Sequence, residues 1–188
     1  VYPGEEDAVI LKSVKIDEAS ALEAAKNDTA LSVAAGGVTP KGSGVVYRYI
    51  SGVPDYQQVI SCIPTAIGIV VGYWDAHGYP DLFSDSYSAM ITAISNLMDS
   101  QNGGHTSNNN IPYGAETYCH QTYPNDFDCT NIWGPAFGQV ASEILASRPC
   151  LVGFASGSGY FGSAHMTACV GYYYETTETD RYIIKIGR

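Results

Sequence analysis

Apolar and polar positions follow patterns along this chain that predict most of its elements. Residues 67–74, Ile-Gly-Ile-Val-Val-Gly-Tyr-Trp, are apolar with no charge among them. Bounded by Cys62-Ile63-Pro64 upstream and His77-Gly78-Tyr79-Pro80 downstream, they predict a buried helix from Cys62 to about Ala76. Pro64 suits its first turn, where a missing amide N–H costs nothing. A second helix is predicted within 86–100, where Met90, Ile94, Leu97 and Met98 share a face and Ser84 and Asp85 are candidate caps. A third fills 135–148 and is halted by Pro149. The alternation Val46-Tyr47-Arg48-Tyr49-Ile50 predicts a strand ending at the Gly52–Pro54 turn. Three further strand-like runs close the chain, at 150–154, 165–175 and 180–188. Residues 101–134 are polar and read as one long loop, of a length that is usually functional or covalently pinned. Helices first and antiparallel strands second predict an α+β domain rather than alternating βαβ units.

Residues 1–44 read differently. An Ala- and Glu-rich stretch from Asp17 to Lys26 could form a short helix before the Gly/Pro/Ser linker at 36–44. The stretch is expected to be an N-terminal arm packed on the domain or the remnant of a propeptide, with a single domain over 45–188. Its removal is expected to change activity modestly at most.

Composition narrows the function classes. A 45% apolar fraction with 15% charged residues is that of a globular core. A net charge of −10, with nine scattered Lys and Arg, argues against binding a phosphate backbone. No run approaches the roughly 18 apolar residues of a membrane span. Fifteen tyrosines, twenty glycines and few basic residues suggest a secreted or cell-surface protein, although Val1–Val9 shows no leader pattern. No Cys-x-x-Cys or His-x-x-x-His spacing is present, so no metal site and no cofactor is expected. Asp126 and Asp128 lack the ligand ladder of a cation loop, and Gly157-Ser158-Gly159 lacks the Lys of a phosphate loop. His77, His105 and His120 read as surface residues, and Tyr73 and Trp74 as core.

The five cysteines are an odd number. In an oxidising compartment the natural division is two disulfides and one free thiol. Cys119 and Cys129 flank a polar loop of a kind that a bridge could close. Cys150 and Cys169 lie in two apolar strands, where they could face each other or pack as small hydrophobes. Cys62 is then the odd one out. At a helix start it meets unpaired N–H groups and the positive end of the helix dipole, both of which favour a reactive thiolate. Far downstream, His165 opens a strand and is the candidate base of a Cys–His pair. Gln57 or Gln58 could join the Cys62 backbone N–H in stabilising an oxyanion.

These pieces stand in an order that resembles a known family. Val53-Pro54-Asp55-Tyr56-Gln57-Gln58, Ser61-Cys62-Ile63-Pro64-Thr65-Ala66, Gly72-Tyr73-Trp74-Asp75 and Gly78-Tyr79-Pro80-Asp81-Leu82 come first. Arg148-Pro149-Cys150-Leu151-Val152-Gly153-Phe154 and His165 with Gly171-Tyr172 follow. Together they resemble the papain-like cysteine peptidases, in particular the bacterial C39-like branch, over about residues 45–187. The resemblance implies a helical subdomain followed by an antiparallel sheet. It also implies Cys62 as nucleophile, His165 as general base and then acid, and Gln58 as oxyanion donor. The spacing from Gln58 to Cys62 is shorter than usual in the family, which keeps Gln57 open. Ile63 stands where the family most often has Gly. The Asn or Asp that orients the histidine is expected near position 190 of a simple ladder, past Arg188. Gly187 and Arg188 cannot serve, and Asp180 falls in the expected turn. A chain that continued further, a partner from elsewhere and a pair that works alone are the three alternatives.

The expected function is peptide-bond hydrolysis through a Cys62 acyl-enzyme, on a peptide or protein substrate. Two alternatives stand beside it: another Cys–His acyl transfer such as deamidation or transglutamination, and a degenerate fold kept for binding or adhesion.

Overall fold

The computed structural model describes residues 6–13, 31–34, 37–40, 45–83, 86–98, 109–133, 137–154, 165–175 and 181–185. Strands β1 (Glu6–Ser13), β2 (Leu31–Ala34), β3 (Gly37–Pro40) and β4 (Val45–Tyr49) lead into helix α1 (Cys62–Ala76). Helices α2 (Tyr87–Leu97) and α3 (Asn110–His120) follow, then β5 (Phe127–Ile132) and α4 (Phe137–Leu145). Strands β6 (Cys150–Phe154), β7 (His165–Glu175) and β8 (Arg181–Lys185) end the sequence of elements.

The fold is α+β, and β7 organises it. Its residues 166–172 are buried without a break, which a strand permits only when both its faces are covered. Helices α1 and α4 are the elements that pack against it. Antiparallel pairing gives the order β4-β7-β6-β1-β5, with β8 also on β7. Strand β6 pairs with residues 165–169 of β7 and β4 with 171–175, while β8 spans the junction between them. A residue has only two ladder edges, so β6 and β4 share one edge of β7 and β8 takes the other. The β7–β8 ladder carries an irregularity between Cys169 and Gly171.

Two expectations change here. The N-terminal stretch is not merely packed on the outside: β1 lies between β5 and β6, paired with both. Strands therefore lie on both sides of the helices in sequence. The expected 17–26 helix lies outside the described residues.

The expected loop over 101–134 is the second change. Its described part holds α3 and β5. Ile111, Gly114, Ala115, Tyr118 and Cys119 form the buried face of α3, at helical spacing but with small residues in the middle. Gly114 lies where a Cβ would collide with the Met98 side chain, so α3 can approach the end of α2 closely. Its polar residues Asn110, Glu116 and His120 are half-buried and bonded to Met98, Cys129 and Phe127.

Helix α1 is buried from Pro64 to Trp74, the central helix of the core. Its C-terminal end explains the His77-Gly78-Tyr79 punctuation. Gly78 takes φ +102, and the N–H groups of His77 and Tyr79 both donate to Trp74 O, at 3.0 and 3.2 Å. The Trp74 and Tyr79 rings then meet edge to face at 6.1 Å. Helix α2 starts from Ser86, whose side chain accepts from Ala89 N at 3.2 Å, whereas Ser84 and Asp85 lie outside the described residues. Gly68 of α1 lets Ile91 of α2 within 2.7 Å of where a Cβ would stand. At the end of α4, Glu143 accepts from Arg148 Nε and Arg148 Nη2 at 2.6 and 3.0 Å, a nearly buried two-point ion pair at the entry to β6.

Candidate active site

The segment from Ile50 to Ser61 carries the proposed oxyanion donors, and it is fixed at several points. Ile50 N donates to Val170 O at 2.8 Å, which extends the β4–β7 ladder by one bond. Val53 is buried, and its carbonyl accepts from Lys185 Nζ of β8 at 2.7 Å. Tyr56 stacks on Tyr87 of α2 with ring centroids 4.7 Å apart and planes within 3°. It lies over Gly72 of α1, where any Cβ would collide with the phenol oxygen. Burial first, and then the Asp75 carboxylate, pushes the Tyr56 phenol above its usual value of 10.0 and keeps it protonated. Gln57 and Gln58 come directly after this anchor, and both are exposed.

Cys62 is the first residue of α1 and is half-buried, whereas Cys119, Cys129, Cys150 and Cys169 are buried. Ser61 precedes it in extended conformation (φ −151°, ψ 174°) and gives the helix no side-chain cap. The first turn is closed instead by Thr65, whose hydroxyl donates to Ser61 O at 2.8 Å. Among the described residues, Ser61 Oγ is buried without a hydrogen-bond partner, so the residue ahead of Cys62 in the chain holds an unsatisfied polar group.

His165 opens β7 opposite Phe154 of β6 and is half-buried. Burial pushes its imidazole below the usual 6.5, which favours the neutral ring that can accept a proton at neutral pH. Thr167, two residues along and on the same side of the strand, has a buried hydroxyl oxygen with no partner among the described residues. On β8, Lys185 faces Ala168, three positions short of the place opposite His165. By count that place is Arg188, which with Asp180 and Gly187 lies outside the described residues. The helix that Cys62 opens packs against the strand that His165 opens.

All five cysteines are free thiols in this structure, so neither expected disulfide is closed. Cys119 lies in the last turn of α3 and Cys129 in β5, both next to Glu116, whose carboxylate accepts from Cys129 N at 2.6 Å. Burial and that carboxylate push the Cys119 thiol up to about 12. Cys150 and Cys169 face each other across β6 and β7.

The remaining histidines divide. His77 is exposed, stacked on Tyr73, with Nδ1 2.7 Å from Tyr73 O. His120 is not a simple surface residue: it is half-buried and its Nε2–H donates to Phe127 O at 2.9 Å, tying α3 to β5. His105 lies outside the described residues. Tyr73 and Trp74 are buried, and Tyr73 donates its phenol proton to Ser147 O at 2.8 Å.

Tyr56 and Ser61 stand within the sequence motifs, but neither they nor Thr167 gains a role from the sequence, because that role comes from burial and from packing between distant parts of the chain. A cavity of about 260 Å³ lies between α2 and α3, lined by Leu82, Phe83, Met90, Tyr118 and Gln121 among others, and its lining includes neither Cys62 nor His165. Among the described residues no group of three or more His, Cys, Asp and Glu is placed to hold a metal ion. No helix among them is long and apolar enough to cross a membrane. No protein-family model, curated protein or solved structure matches this chain.

Proposed function

We propose that the chain is a cysteine peptidase of papain-like architecture, secreted or held at the cell surface, with Cys62 as nucleophile and His165 as its base. The observation that supports it most is the pairing of elements. The one cysteine of the five that is not buried opens α1, α1 packs on β7, and β7 is opened by a half-buried histidine. Helix start and strand start are where a nucleophile and a base each gain access while their elements stay rigid.

In this mechanism Cys62 Sγ attacks the carbonyl carbon of a peptide bond as its proton passes to His165. The developing oxyanion is met by the Cys62 backbone N–H and by the side-chain amide of Gln57 or Gln58. His165 returns the proton to the leaving amine, and a thioester on Cys62 remains. Water, deprotonated by His165, then releases the acid product. Depression of the imidazole pKa by burial supports the first step, since the neutral ring is the competent form.

The test is product analysis. Unstructured peptides incubated with the protein should be cleaved by the wild type and left intact by Cys62→Ala and by His165→Ala. Adding a primary amine separates hydrolysis from acyl transfer, through the appearance of amide products. Cleavage by Cys62→Ala at the wild-type rate would refute the assignment.

A further inference from the structure

Cys150 and Cys169 play no part in the proposed chemistry, yet their placement is unusually specific. They are direct partners in the antiparallel register of β6 and β7. Both are fully buried, and the Cys169 thiol donates to Gly171 O at 3.5 Å. Directly opposed residues in such a ladder hold their Cα atoms about 4.5–5.5 Å apart, with both side chains on one face. A disulfide needs a Cα separation of about 4.4–6.8 Å. The register therefore sets the pair within the Cα range that a disulfide spans.

We infer that Cys150 and Cys169 form a covalent cross-strand link, closed as the chain folds in a medium containing a low-molecular-weight disulfide. The thiolate of one cysteine attacks a sulfur of the small disulfide, forming a mixed disulfide and expelling one small thiolate. The second cysteine attacks the protein sulfur of that mixed disulfide and expels the other. Both protein thiol protons end on the two small thiols. The protein pair is oxidised by two electrons and the small disulfide is reduced by two.

The timing follows from burial. In the folded protein the hydrogen bond to Cys169, followed by loss of water, holds Cys150 as the thiol, well above its usual value of 9.0. Only a thiolate attacks a disulfide, so exchange belongs to the chain before β6 and β7 have zipped. Once closed, the bond is shielded from reductants by the same burial. The other pair is less favoured, because Cys119 lies on a helix and Cys129 on a strand, so no ladder register sets them opposite each other as the chain folds.

The full chain is unfolded in guanidinium and refolded in buffers of graded reduced-to-oxidised glutathione ratio. Remaining thiols are alkylated, and the digest is mapped by mass. The expected result is a peptide joining Cys150 to Cys169, lighter than its parts by two hydrogens. The midpoint of thermal unfolding should rise by about 5–10 °C over the reduced protein. Cys150→Ala and Cys169→Ala should each abolish that rise, while Cys119→Ala should keep it. Both cysteines alkylated in full across the series, or a Cys119–Cys129 link in place of theirs, would overturn the inference. The peptide map is read on the wild type, so it decides even where an alanine variant folds poorly. Closure as fast in the native protein as during refolding would overturn the timing.

Discussion

At the residue scale, the five cysteines differ first in what a reagent can reach. Cys62 is half-buried and the other four are buried. Short exposure of the native protein to an alkylating agent at neutral pH should add one group at Cys62, and the Cys62→Ala protein should take up none over the same time. Slow modification of all five at similar rates would rule out a selectively reactive thiol. His165 makes a prediction of different form. Its folded pKa lies below the unfolded 6.5, so the unfolded chain takes up this proton first as pH falls. The contribution is present above 6.5 and is lost as pH drops through the folded value. The thermal midpoint of wild type should thus fall more steeply below 6.5 than that of His165→Gln, and equal slopes would contradict the burial of the ring. Cys62 and His165 could be singled out in the sequence because each stands at the edge of an apolar run. The unsatisfied hydroxyls of Ser61 and Thr167 could not, since an unpaired buried atom is a property of packing.

At the element scale, α1 was legible because an unbroken apolar run ended in Gly and Pro signals, and its ends fall at Cys62 and Ala76. Helix α3 was not, because its buried face uses Gly114 and Ala115 where a pattern search looks for large residues. Close helix contacts make glycines on these faces sensitive. Gly72→Ala would force Tyr56 off α1 and cost about 1–3 kcal/mol in stability, read by denaturant unfolding. The same variant should weaken any activity that depends on the position of Gln57 or Gln58, and an unchanged midpoint would show that Tyr56 is free to move. The Glu143–Arg148 pair tests the junction of α4 with β6. Replacing Arg148 by Ala leaves a nearly buried carboxylate without its partner and should cost about 3 kcal/mol. Replacing both residues by apolar ones of similar size should recover most of that loss. A single-variant cost below about 0.5 kcal/mol would mark the pair as solvated.

At the scale of the whole molecule, the α+β class could be read from the helices in mid-sequence and the strands that follow them, but β1 ahead of them and the composition of the sheet could not. Strand β1 joins β5 and β6, which lie far downstream, and no local pattern announces such a pairing. The consequence is opposite to that of a dispensable arm. Deleting residues 1–44 opens the sheet between β5 and β6, and the shortened protein should lose cooperative unfolding rather than show a modest change in activity. A truncated protein with the wild-type midpoint would show that β1 is not needed. The central claim, that Cys62 is activated by His165 for acyl transfer, is tested most directly by intact mass after brief incubation with a peptidyl electrophile. The account predicts one adduct on wild type, none on Cys62→Ala, and a rate at least about tenfold lower on a folded His165→Ala. An adduct that survives Cys62→Ala, or forms on His165→Ala as fast as on wild type, would contradict it.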